Sequence, residues 1–234
     1  MTEWSGHVTS AVVGDSMVFT IDNGERNLLN PGVMGSLREQ ILSADSDEGV
    51  FGIVLTGAGN FFCGGLDVPA IRAGADPVEF ASSLVSLLKI FPDLHTPVLA
   101  AVNGNAVASG ASLVAVTDYS VAIPTALIGT QEVGLGVWPM IAQVPLIKAI
   151  GARAAMENIG SGEPFTAHRA QELGLINLLA PSENVLDECV AWIEKAARGR
   201  AVYRSGRPTI ARFADLPTQK ALDESLGTFV SMFS

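Results

Sequence analysis

The chain opens on alternating apolar and polar residues, from His7 to Val13 and again over residues 16–21, on either side of Gly14-Asp15. This is the pattern of two strands joined by a tight turn. A polar stretch at 22–27 ends it. Asn30-Pro31 sets a capping side chain before a proline at the first helical position, which predicts a helix to about Ala44. Residues 51–56 form an apolar run of strand length, closed by Gly57-Ala58-Gly59-Asn60, and 61–67 read as a loop. Asp76 caps a predicted helix over 77–90, and further short strands are predicted at 98–102 and 119–123. Glycines spaced through 133–139 then lead into helices at about 141–150, 152–159, 166–173 and 182–197, and from Arg207 to the end. Strands alternating with helices over the first 130 residues, then helices alone, predict an α/β core with a helical C-terminal part. There is no fixed-period repeat.

One stretch stands out against this pattern. After the apolar run at 98–102 come Asn103-Gly104-Asn105-Ala106-Val107-Ala108-Ser109-Gly110, and then apolar residues that suit a helix. A strand turning sharply into a helix leaves the first helical N–H groups without internal acceptors, at the positive end of the helix dipole. Small residues there let a ligand approach the backbone. The stretch suits a developing negative charge, and it equally suits close helix–strand packing.

Composition narrows the classes. Of 234 residues 48% are hydrophobic and 16% charged, enough to fill one large core. Fourteen basic residues against 24 acidic ones give a net charge of −10, which argues against nucleic-acid binding. No apolar run reaches the roughly 18 residues of a membrane span. The start, Met1-Thr2-Glu3-Trp4, lacks the basic and apolar regions of a signal peptide, and two cysteines, Cys63 and Cys189, form no framework. The expectation is a cytoplasmic protein.

Several pieces occur in a telling order: Leu55-Thr56-Gly57, Phe62-Cys63-Gly64-Gly65-Leu66-Asp67, Pro97 to Gly104, Asp118, Gln131-Glu132-Val133-Gly134-Leu135-Gly136, and Gly174-Leu175-Ile176. In this order they resemble the crotonase (enoyl-CoA hydratase/isomerase) superfamily over about residues 18–179. The resemblance implies a spiral of ββα units as the core, residues 1–180, with a C-terminal helical region, 181–234, in the same functional unit. It implies a homotrimer or a dimer of trimers. It implies an acyl-CoA thioester substrate, with coenzyme A as part of the substrate and no separate cofactor or metal. The thioester oxygen would lie between the backbone N–H groups of Leu66 and Ser109. Coenzyme A would run along Arg26-Asn27-Leu28 and the Gly64-Gly65-Leu66 loop, with Asp67, Gly110 and Ser112 around the site.

The branch within that family depends on acid–base groups. Hydratases carry two glutamates; here the first position is Ser112 and the second is Glu132. A serine hydroxyl needs an activating partner to act as a base near neutral pH, whereas a carboxylate in apolar surroundings is suited to the task. One carboxylate suffices to move a double bond, so the pattern resembles the Δ3,Δ2-enoyl-CoA isomerases. Leu66 and Phe229-Val230-Ser231 also look like that branch. The alternatives are a hydratase with a non-standard second group and a thioester-binding relative of low activity. Ala108-Ser109-Gly110 also resembles a serine-peptidase nucleophile segment, but none of His7, His95 and His168 lies at the matching base position. Ile71, Leu84, Val137, Trp138 and Pro139 are expected around the acyl group, with Trp138 limiting its tail.

Overall fold

The computed structural model describes residue 4 and residues 6–232. In chain order its elements are β1 (His7–Val13), β2 (Ser16–Asp22), α1 (Pro31–Ser46), β3 (Gly52–Gly57), β4 (Phe61–Cys63), α2 (Val68–Arg72), α3 (Pro77–Leu88), β5 (Val98–Val102) and β6 (Asn105–Val107). There follow α4 (Ser109–Ala115), β7 (Tyr119–Ala122), β8 (Leu127–Gly129), α5 (Gln143–Ser161), β9 (Phe165–Thr166), α6 (Ala167–Glu172) and β10 (Leu178–Leu179). The chain ends with α7 (Val185–Ala197), α8 (Arg200–Ala214) and α9 (Thr218–Ser231).

Local chemistry accounts for the early elements. Gly14 has φ +58° in the two-residue turn that sets Val13 opposite Ser16. Asn30 Oδ1 accepts from Val33 N at 2.9 Å at the start of α1, and Asp76 Oδ1 accepts from Val78 N at 2.9 Å at the start of α3.

Two sheets form. The larger has the order β1-β2-β3-β5-β7-β10, parallel except for β1, and the smaller has the order β4-β6-β8-β9, parallel except for β9. The pairs β3–β4, β5–β6 and β7–β8 each give a longer strand to the first sheet and a three-residue strand to the second before the chain turns helical, which is the expected ββα spiral. Because β3, β5 and β7 begin at 52, 98 and 119, the repeat has no constant period to find in the sequence. Phe19, Leu37, Leu55, Phe62, Phe80 and Leu113 lie in the main core. α7 covers the opposite face of the large sheet, with Cys189 and Ile193 against Phe51, Val54 and Leu99. Of the helices expected beyond residue 181, α7 is thus part of the sheet's packing.

α8 departs from expectation. It begins at Arg200 and continues through Pro208, which lacks the N–H a helix interior requires. Two arginines hold it to the core. Arg204 donates to Thr96 Oγ1 (3.1 Å) and Asp45 O (2.7 Å). Arg207, with its side chain 5% exposed, donates to Asp118 Oδ2 (2.8 Å), Phe91 O (2.9 Å) and Leu94 O. Asp118 also accepts from Val98 N at 2.7 Å, so this pair joins α8 to the start of β5. Arg207→Met would leave that carboxylate and two carbonyls without their donor. We expect it to lower unfolding stability by about 3 kcal/mol, read as a lower denaturant midpoint at unchanged slope.

Candidate active site

The C-terminal ends of the parallel strands β4, β6 and β8 lie side by side, and in such sheets ligands bind beyond those ends. β4 runs into Gly64-Gly65-Leu66, β6 into Ala108-Ser109, and β8 into Thr130-Gln131-Glu132. Three-residue strands bring together residues more than 60 positions apart.

The first two segments interlock. A Cβ on Gly65, whose φ is +88°, would lie 2.6 Å from Ala108 Cβ and 3.2 Å from the Ser109 amide nitrogen. A Cβ on Gly110 would lie 2.2 Å from Cys63 O. Only glycines let the Leu66 peptide pass this close to the first turn of α4. In the parallel bridge between Leu29 and Leu66, Leu29 N donates to Gly65 O (2.8 Å) and Leu29 O accepts from Asp67 N (2.9 Å). The Leu66 N–H is directed to the opposite side. The Ser109 N–H lies in the first turn, where a helix has no internal acceptor, and no side chain caps that end. Ala108 holds φ +54°, a strained value for a residue with a Cβ, at the point where strand becomes helix. Such strain is characteristic of functional sites.

The third segment carries the carboxylate. Ala108 N donates to Gly129 O at 2.9 Å, which ties the start of α4 to the strand leading into Glu132. Glu132 opens a 3-10 turn to Leu135, is half-buried, and accepts at Oε2 from Gln131 N at 2.8 Å. Burial raises its pKa above the ordinary glutamate value, against the lowering effect of the backbone amides. Beyond it Leu135, Val137 and Met140 are more than 60% exposed, and Trp138 Nε1 donates to Gln143 Oε1 (2.9 Å).

Other predicted residues have structural partners. The Asn27 side chain, fully buried, donates to Ala58 O (2.9 Å) and Phe61 O (2.6 Å) and so shapes the turn before β4. Arg26 is exposed, lies 5.4 Å from the Phe61 ring centroid, and accepts at its carbonyl from Gly64 N (2.8 Å). Leu28 packs against Gly64, and Asp67 caps α2 by accepting from Ala70 N at 3.0 Å. Ser112 is buried and its hydroxyl donates to Ala142 O at 3.1 Å. Burial pushes the Cys63 thiol up to about 12, which removes it as a nucleophile. His7 and His95 sit beside Asp22 and Asp45, away from these strand ends.

An apolar cavity of about 620 Å³ lies between α3, α4, α5 and α8, lined by Leu88, Phe91, Val116, Ile141, Val144 and Ala211 among others. The cavity meets α4 at its C-terminal end, through Ala115 and the following Val116. None of Ile71, Leu84, Val137, Trp138 and Pro139 lines it. Sequence reasoning passed over Asn158, whose carboxamide is buried against Thr130.

The sequence profile described as enoyl-CoA hydratase/isomerase matches residues 15–234. A Thermus thermophilus protein provisionally named an enoyl-CoA hydratase is 35% identical over 190 residues, covering 78% of this chain and 74% of that one. A Xenopus laevis mitochondrial enoyl-CoA hydratase domain-containing protein 3 is 33% identical over 167 residues, covering 70% of this chain and 57% of its own length. Among solved structures, an enoyl-CoA hydratase from Mycobacterium smegmatis superposes with a TM-score of 0.88 at 25% identity, over 96% of this chain and 90% of that one.

Proposed function

The chain belongs to the enoyl-CoA hydratase/isomerase family, and from that premise we propose that it moves a carbon–carbon double bond, converting a 3-enoyl-CoA thioester to the 2-enoyl isomer. One observation carries the reading: of the carboxylates described at these strand ends Asp67 is engaged in capping α2, which leaves Glu132, and the position where a second glutamate would stand is Ser112, its hydroxyl committed to Ala142 O.

In this reading the thioester carbonyl oxygen accepts from the Leu66 and Ser109 N–H groups. Glu132 takes a proton from C2. The C2–H electron pair moves toward the carbonyl, and the charge collects on the oxygen as a dienolate. Two fixed donors and the dipole of α4 stabilise that charge without reorganising; removing one such donor ordinarily costs about 10²–10³ in rate. The same carboxyl then delivers the proton to C4, and the double bond is left between C2 and C3. Nothing is oxidised or reduced, so the step calls for no redox partner. Adding water needs one group to activate it and another to protonate carbon, and the second is missing here.

The remaining parts follow the same reading. The acyl tail extends along α4 into the apolar cavity, and coenzyme A lies along Arg26 and the Gly64-Gly65 loop. The chain assembles with copies of itself as a trimer or dimer of trimers. α9 buries none of its residues, and Leu222, Leu226 and Val230, four apart, are 63%, 63% and 58% exposed. Two buried free cysteines suit a reducing cytoplasm.

The names of the relatives favour hydration as the second reading. Incubation with 3-enoyl-CoA and 2-enoyl-CoA of short and long chain separates them. We expect the 3-enoyl substrates to convert and the 2-enoyl substrates to stay unhydrated. Hydration of the 2-enoyl substrate would establish the second reading, and binding without turnover would reduce the chain to a thioester binder.

A further inference from the structure

Asn158 sits near the end of α5, and its residue is 1% exposed. A buried carboxamide is tolerated when its bonds are made. Here they are all made: Oδ1 accepts from Thr130 N (2.7 Å) and Thr130 Oγ1 (3.0 Å), and Nδ2 donates to Thr130 O (2.8 Å) and Glu163 O (2.8 Å). A Cβ on Gly129 would lie 2.7 Å from Asn158 Oδ1, so the carboxamide lies flat against this backbone as a neighbouring strand would.

The consequence is in the peptide geometry. Thr130 C=O and Gln131 N–H are opposite ends of one planar peptide group. Asn158 Nδ2 holds the first end at 2.8 Å, and the Glu132 carboxylate accepts from the second end at 2.8 Å. Rotation of that peptide would carry the N–H off the carboxylate. Each donor also polarises the next in such a line. On its other side, Gly129 O accepts from Ala108 N, so the segment is fixed between Asn158 and the start of α4.

We infer that Asn158 is the positioning residue for Glu132, orienting through the 130–131 peptide the N–H that holds the carboxylate. The inference rests on the isomerase reading for what Glu132 does, and on the geometry alone for what holds it. The charged groups on neighbouring elements do not substitute for this bond: Glu157 and Arg169 pair with each other at 2.8 Å, and Glu163 presents its carbonyl.

The test compares Asn158→Leu, Asn158→Asp and Glu132→Gln with the wild type in whichever reaction the wild type catalyses. Asn158→Leu keeps the side-chain bulk and removes all four bonds. We expect kcat to fall about 10–100-fold with KM changed less than about threefold, because substrate is held by other groups. We also expect the acid limb of the kcat/KM profile to move to higher pH, because the N–H that favours the ionised form is no longer aimed. If Asn158→Leu fails to fold by circular dichroism, Asn158→Asp takes its place. It retains an acceptor for Thr130 N and loses the donor to Thr130 O, and it is read by the fall in kcat at constant KM, since its own charge would move the limb whatever the peptide does. A folded Asn158→Leu with wild-type kcat and an unmoved limb overturns the inference, as does a folded Asn158→Asp with wild-type kcat, or in either variant a rise in KM at constant kcat. Full turnover in Glu132→Gln overturns the isomerase reading and this inference together. An inactive Glu132→Gln beside an unaltered Asn158 variant overturns the inference alone.

Discussion

Glu132→Gln is expected to cut turnover of 3-enoyl-CoA by about 10²–10⁴-fold while thioester affinity is little changed. The amide has the same shape and keeps an oxygen for the Gln131 N–H, which now donates to the carboxylate at 2.8 Å. What it loses is the capacity to take a proton from C2. A fall in kcat with unchanged binding would locate the residue in the chemical step, and full activity would remove it from the mechanism.

The same variant has a second, independent signature. Burial raises the Glu132 pKa in the folded protein above its unfolded value. For a group shifted in this direction, the stabilising contribution is complete below the unfolded pKa, about 4.3 for glutamate, and is lost as pH rises through the folded value. At neutral pH the protein therefore holds an ionised carboxylate in surroundings that disfavour it. Glu132→Gln should be at least as resistant to thermal unfolding as the wild type at pH 7, and its advantage should vanish below about pH 4. In the wild type, the acid limb of activity should lie above the ordinary glutamate range, because the base acts only when ionised.

What could be read from the sequence divides along a physical line. The β1–β2 hairpin, the Asn30 and Asp76 caps and the buried run at 98–102 are written in neighbouring residues, and the structure has them at nearly the expected positions. The small sheet was not legible. Phe61–Cys63, Asn105–Val107 and Leu127–Gly129 are too short to show a periodicity and are strands only because they pair with one another. The two helices expected at about 141–150 and 152–159 are present, divided at Gly151, whose φ of +79° and ψ of 156° are non-helical. The last helical segment was expected from Arg207, whereas α8 begins at Arg200 and runs through Pro208, held by the contacts of Arg204 and Arg207 to the core. The site divides in the same way. Glycines at 64, 65 and 110 announce close backbone approach whatever lies opposite. The commitments of Asn27 to residues 58 and 61, and of Ser112 to residue 142, depend on partners that only the fold brings near.

Gly110→Ala is expected to reduce turnover about 10²–10³-fold, a loss that its effect on stability cannot explain. The added methyl carbon would meet Cys63 O at 2.2 Å, Cys63 C at 2.9 Å and Cys63 Cβ at 3.0 Å. Ordinary contact needs roughly 1 Å more. Two rigid pieces face each other, the first turn of α4 and the β4 end, so the strain separates them. Overpacking of this kind costs about 1–3 kcal/mol, and replacing a helical glycine by alanine returns up to about 1 kcal/mol. Net destabilisation should therefore stay near 1–2 kcal/mol, and the variant should fold. The proposed oxyanion site has no such compensation. The Leu66 and Ser109 amides belong to the two pieces being pushed apart, and a donor displaced by about 1 Å loses most of its advantage for the developing charge. Gly35→Ala, in α1 with nothing within 4 Å of the added carbon, supplies the contrast: turnover should be unaffected and stability unchanged or higher. Equal activity in the two alanine variants would mean that the close approach at Gly110 serves packing alone, and that the amides of Leu66 and Ser109 do not act on one oxygen.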